Sequence, residues 1–152
     1  MSTYNILQNN FKTFGVSDIA ISEDFENCLG LILYDVNRNT LSLGHIYQYN
    51  KLDFNAESAL DIMIRDMTQN QNCNEKNMKA YLIGELENHE KSAHIINELR
   101  KKNIQICKEV LGGEYLKDIK VYNGKIEIIF KKKIRLSDRY EDVIIKVEEI
   151  KL

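Results

Sequence analysis

The chain has 152 residues, 43% of them hydrophobic and 29% charged, with a formal net charge of −2. That length predicts one domain able to bury its own core without disulfides or metal, and the near-neutral charge gives no general attraction to nucleic acid or anionic membranes. No apolar run approaches the roughly 18 residues of a spanning helix, and the opening MSTYNILQNNFKTF lacks the basic start and apolar block of a signal peptide, so a cytoplasmic setting with no membrane insertion is expected.

The first predicted element is a loosely alternating strand over Phe14 to Ser22. CLGLILYD follows, a short apolar run that suits a strand buried on both faces. DVNRNT is a turn, because Asp and Asn tolerate left-handed backbone and bond to their own chain. LSLGHIYQY alternates again, with Leu41, Leu43, His45 and Tyr47 on one face, so the two runs form a β-hairpin. At Asn55 to Asn70 the period changes. Ala56, Ala59, Leu60, Met63, Ile64 and Met67 fall at helical spacing, with Asn55 as N-cap.

QNQNCNEKN is a polar loop, which makes Cys73 an exposed bystander, and MKAYLIGEL is a strand. NHEKSAHIINELRKKN is a second helix, with Ala93, Ile96, Leu99 and Ile95 inward and Lys101 and Lys102 at its C-terminal end. IQICKEVLGG is a strand in which Cys107 is a core candidate, and YLKDIKVYNGKIEIIF carries Asn-Gly at 123–124, a hairpin signal. KKKIR at 131–135 reads as a solvated strand end that guards the sheet edge, with docking onto an acidic partner as the alternative. VIIKVEEIKL fits a helix as well as a strand. The expected fold class is α/β in the sense of an α+β sandwich: a mixed β-sheet layered with two main helices.

Three cysteines, Cys28, Cys73 and Cys107, with no CxxC spacing argue against a disulfide framework or a zinc ribbon. His89 and His94 are five apart, which is not the spacing of a helical metal pair. Gly112 and Gly113 lack the strand-to-helix context of a phosphate loop. Cys28 opens the first hairpin strand, and His45 lies late on its partner. A turn near Asn37 to Asn39 brings the two side by side. A thiol beside an imidazole makes a nucleophile pair, with Ser22 or Asp35 available to orient the base. Core filling is the competing reading, since free cysteine is among the most buried residue types.

The layout resembles the CheD-type chemoreceptor glutamine deamidases. NCLGLILYD followed by LSLGHIYQY is similar to that family's cysteine strand, Asp-containing turn and histidine strand. The Cys-to-His interval agrees, and Ser22 stands six positions before the cysteine, where the family has a hydroxyl residue, typically Thr. AESALDIMIRDM and LGGEYLKDIKVYNGKIEI resemble later family segments. The resemblance is strongest over 12–131 of a single 1–152 domain, leaving 132–152 as a C-terminal extension. It departs at Glu26-Asn27, where the family has Gly-Ser, at IGEL, where it has Gly-Gly-Ala, and in lacking its Ile-Gly-x-Arg-Asn motif.

The resemblance implies hydrolysis of a protein-bound Gln side chain to Glu and ammonia. Cys28 would be the nucleophile, His45 the general base and acid, and Ser22 the residue orienting His45. It implies no cofactor and no metal, a protein substrate such as a chemoreceptor or another Gln-bearing protein, and a CheC-type phosphatase as a possible partner. The replaced Gly-Ser favours a second expectation, a binding module for a receptor or phosphatase with catalysis lost. A deamidase acting outside chemotaxis, as toxin deamidases with a similar Cys-His site do, is the third.

Overall fold

The computed structural model describes residues 1–47, 59–84 and 90–152. Asn55, Ala56, His89 and the ends of the second hairpin strand and of MKAYLIGEL lie outside the described residues. Within them are ten strands: β1 (Thr3–Asn5), β2 (Asn10–Gly15), β3 (Ile19–Phe25), β4 (Leu29–Asp35), β5 (Thr40–Ile46), β6 (Met78–Gly84), β7 (Gln105–Leu111), β8 (Leu116–Tyr122), β9 (Lys125–Arg135) and β10 (Tyr140–Lys151). Two α-helices, α1 (Ala59–Asn70) and α2 (Glu90–Lys101), complete the set.

Every residue of β4 is buried. A strand buried on both faces must lie between two packed layers, and β4 does. Its odd-numbered residues Leu29, Leu31 and Leu33 pack with Met63 and Met67 of α1 and Ile95 and Leu99 of α2. Its even-numbered Ile32 and Tyr34 face Ala20, Ile119, Val121, Ile126 and Ile128 of the other sheet. The fold is therefore three layers: a sheet in the order β1-β3-β8-β9-β10, a sheet in the order β2-β5-β4-β6-β7, and the helices on the outer face of the second. Each sheet is mixed, with β1 parallel to β3 and β6 parallel to β7. The expected α+β sandwich with two main helices is what forms, its strands divided between two sheets.

The strand expected over Phe14 to Ser22 is two strands in two sheets. Residues 16–18 turn the chain from β2 to β3. The Asp18 carboxylate pins this corner by accepting hydrogen bonds from the Ser2 and Gly15 N–H groups. Those bonds hold its pKa below the usual carboxylate value.

Four further expectations are corrected. Cys73 is buried, packed under α1 with Met67 and Met78, because the polar loop folds back and its N–H bonds the Met67 carbonyl. Cys107 is exposed: it is the extra residue of a bulge that pairs Ile106 with Ala80 and Lys108 with Tyr81. Ala93 is exposed, whereas Ile95 and Leu99 are fully buried as expected. In KKKIR, residues 132–135 are the expected exposed strand end, but Lys131 is only 2% exposed, because β8 still pairs with β9 at that residue. The ambiguous tail is the long strand β10.

Gly84 and Gly124 both have positive φ, but differ in space. A Cβ on Gly84 would stand 2.5 Å from the Cys28 carbonyl oxygen, whereas one on Gly124 meets nothing within 4 Å. Gly84→Ala should lose about 3 kcal/mol in urea unfolding and Gly124→Ala about 1 kcal/mol. Equal losses would show that the β6–Cys28 contact is not a constraint.

Candidate active site

Ser22 lies on the face of β3 that looks toward the second sheet, and it is fully buried. His45 lies on the facing side of β5, 4% exposed. Their side chains meet between the sheets, Ser22 Oγ lying 2.8 Å from His45 Nδ1. Ser22 Oγ also lies 2.6 Å from the Ile6 carbonyl oxygen, which can only accept. A hydroxyl has one proton. Both bonds are satisfied only if Ser22 donates to Ile6 and His45 Nδ1–H donates to Ser22. The imidazole is thereby fixed in the tautomer whose Nε2 carries a lone pair. Among the described residues, His45 Nε2 is buried without a hydrogen-bond partner.

Asp35, the other sequence candidate for orienting His45, is at the wrong end. It pairs with Thr40, whereas His45 pairs with Gly30. Its carboxylate is committed to the N–H groups of Asn37, Arg38 and Asn74.

Phe25 stacks on the imidazole with ring centroids 3.9 Å apart. A bulge in β3 places it there: the register with β8 shifts between Ser22 and Phe25, and Asp24 has φ of 64°. Strict alternation would point Asp24 inward after Ala20 and Ser22. The bulge turns Asp24 out and Phe25 in, an established way to re-aim a side chain. Gly30, opposite His45, makes room, since a Cβ there would stand 3.1 Å from the Phe25 ring.

Sequence reasoning missed the group that holds this bulge. Lys131 Nζ lies 2.6 Å from Asp24, 2.9 Å from Asp118 and 3.3 Å from Asp142. Burial opposes its charge, but bonds to Asp24 and Asp118 outweigh that and raise its pKa. Burial likewise disfavours the Asp24 carboxylate, and Lys131 more than compensates. The signal lay in three aspartates far apart in sequence, which no local pattern connects.

Cys28 directly precedes β4, two residues before Gly30. It is 5% exposed and packs in the same inter-sheet core as Phe25. Cys28 thus lies two residues before Gly30, the residue of β4 that pairs with His45. A polar cleft of about 250 Å³ reaches His45 between Asn5–Gln8 and the carboxylates of Glu23 and Asp24. Burial drives the His45 pKa down to about 4, opposed by the charge of Asp24. The imidazole is thus neutral at pH 7 and able to accept a proton at Nε2. No cluster of metal-ligating side chains occurs among the described residues, and no helix among them is long and apolar enough to cross a membrane.

No family model matches the chain, and comparison with curated proteins finds no match. Among solved structures it is similar to the C-terminal domain of CNFy from Yersinia pseudotuberculosis, with a TM-score of 0.50 and 8% identity over 97% of this chain and 61% of that one. It is also similar to Neisseria meningitidis protein NMB0706, described by the family model DUF152, with a TM-score of 0.43 and 10% identity over 72% of this chain and 63% of that one. The chain thus spans less than two thirds of either structure's length. At such identity the likeness to the CNFy domain is one of fold.

The depressed His45 pKa has a consequence for stability. Between about pH 6.5 and pH 4 the unfolded chain binds a proton at this residue that the folded chain does not, so stability falls as pH falls. Acidification from pH 7 to pH 4 should cost the parent about 3 kcal/mol more than a His45→Gln variant, measured by urea unfolding. Parallel curves would mean that His45 is not held neutral by burial.

Proposed function

We propose that this chain is a cysteine-dependent amidohydrolase of the CheD type, acting on the side-chain amide of a protein-bound Gln. The observation that carries this reading is the buried His45, with Nδ1–H bonded to Ser22 and Nε2 without a partner among the described residues. The polar cleft between Asn5–Gln8 and Glu23–Asp24 leads to that ring. A general base needs that lone pair.

In this reading His45 Nε2 takes the Cys28 thiol proton as sulfur attacks the amide carbon. A C–S bond forms and the carbonyl π pair moves to oxygen. Backbone N–H groups at and near Cys28 are assigned to that oxyanion, a contribution of about 3–4 kcal/mol per donor in other acyl-transfer sites. The tetrahedral intermediate collapses, the C–N bond breaks, and His45 returns the proton to the departing ammonia. Water then attacks the thioester, giving up its proton to His45, and the C–S bond breaks to leave Glu and free thiol. Ser22 keeps the imidazole in the working tautomer throughout, the part that a third residue plays in Ser and Cys triads. The fold likeness to the CNFy domain is compatible with this chemistry.

The burial of Cys28 and the Glu26-Asn27 bend before it favour one other reading, a binding module that keeps the fold without turnover. The two separate cleanly. A chemoreceptor cytoplasmic fragment and an unstructured Gln-bearing peptide, incubated with the chain, should release ammonia and show the amide-to-acid mass shift. Cys28→Ala should abolish this, Ser22→Thr should retain it, and Ser22→Ala should lower kcat about ten- to hundredfold. Turnover that survives Cys28→Ala would refute the thiol mechanism. Fragment binding without turnover, unchanged in Cys28→Ala, would establish the binding module instead.

A further inference from the structure

Nine large hydrophobic side chains are exposed among the described residues, and six of them lie at 134–147: Ile134, Tyr140, Val143, Ile144, Ile145 and Val147. This concentration lies outside the candidate active site. It sits on a strand pair that leaves the body of the molecule. The partner strand β8 ends its pairing with β9 at Leu116 and Lys131. Beyond that point residues 132–135 and 140–143 pair only with each other. A two-stranded ribbon alone is marginal in water, and among the described residues β10 is also the edge of its sheet, with one side unpaired over twelve residues. An unpaired strand edge is a place where another strand adds, and clustered exposed apolar residues mark interaction sites.

The charges on β10 select the partner. When the strand is laid antiparallel on itself about a two-fold at Ile144, Ile144 meets Ile144 and Val143 meets Ile145. Asp142 then faces Lys146 on each side, Glu141 faces Val147, Tyr140 faces Glu148, and Arg139, just before the strand, faces Glu149. Opposite charges flank an apolar centre twice, as an isologous interface requires. Moving the two-fold to Ile145 sets Asp142 against Glu148 and Glu141 against Glu149, and moving it to Val143 sets Asp142 and Glu141 against Ile144 and Ile145. The bulge at Ile145, where the register with β9 shifts, is carried by both strands, so the pairing is the same on either side of the axis.

We infer that the partner of this ribbon is a second copy of the same chain, joined through antiparallel β10–β10 pairing about Ile144. The five-stranded sheet then becomes a continuous ten-stranded one. Lys131 ties Asp142 at the edge of this interface to Asp24 at the β3 bulge, so the interface and the candidate site share one ion cluster.

Light scattering on the eluting protein and sedimentation across a concentration series test this directly. The parent should have twice the 17.8 kDa mass of one chain. Ile144→Lys puts two cations on the axis and should give a monomer with an unchanged far-UV spectrum. Arg139→Glu should weaken the dimer about tenfold by setting glutamate against glutamate, and adding Glu149→Arg to the same chain should restore it. A parent that is monomeric at every concentration overturns the inference. So does a dimer indifferent to Ile144→Lys, or a charge reversal that the second substitution does not rescue.

Discussion

Burial of β4 on both faces is the constraint on which the rest of the structure depends. Seven consecutive residues, Leu29–Asp35, need apolar cover on two sides. The helices supply one cover and the first sheet the other. Once the first sheet is committed to that face, β3 must lie over β4 and β5. Ser22 is thereby brought to His45 across the gap between sheets. The hydrogen bond between them is a product of layer packing rather than of any local motif.

The candidate site is correspondingly built from groups that a core would avoid. A serine and a histidine occupy inter-sheet positions where aliphatic side chains surround them. The serine is fully paired, through Ile6 and His45, whereas Nε2 of the histidine has no partner among the described residues. An unmet atom in a well-packed interior is a recurrent mark of function at the expense of stability. Phe25 adds to this by covering the imidazole face, and burial prevails over the Asp24 charge in setting the His45 pKa. The bulge and the Lys131 cluster hold Phe25 in place from outside the site.

Much of this was legible in the sequence where the physics is local. Met63, Ile64 and Met67 announce the buried stripe of α1, Asn123-Gly124 the β8–β9 turn, and the unbroken apolar run the double burial of β4. The spacing of Ser22, Cys28 and His45, taken with the family resemblance, pointed to a pairing of Ser22 with His45. What was not legible depends on distant partners. Cys73 reads as polar-loop surface because its cover comes from α1, and Cys107 reads as core because a bulge cannot be seen in alternation. Lys131 looks like surface charge until Asp24, Asp118 and Asp142 gather around it. The corner at residues 16–18 contains no proline and only ordinary residues, so a continuous alternation concealed the change of sheet.

The central claim is that His45 acts on Cys28, and the rate of Cys28 alkylation by iodoacetamide across pH tests it most directly. Peptide mass spectrometry separates it from Cys107, the exposed thiol, and Cys73, the buried one. The account predicts that Cys28 reacts at neutral pH faster than Cys73. It predicts that the rate falls at least about tenfold in His45→Ala, as loss of a positioned base should, while the rates of Cys73 and Cys107 do not change. A Cys28 rate indifferent to His45→Ala in a folded variant would contradict it and leave the thiol as part of the core.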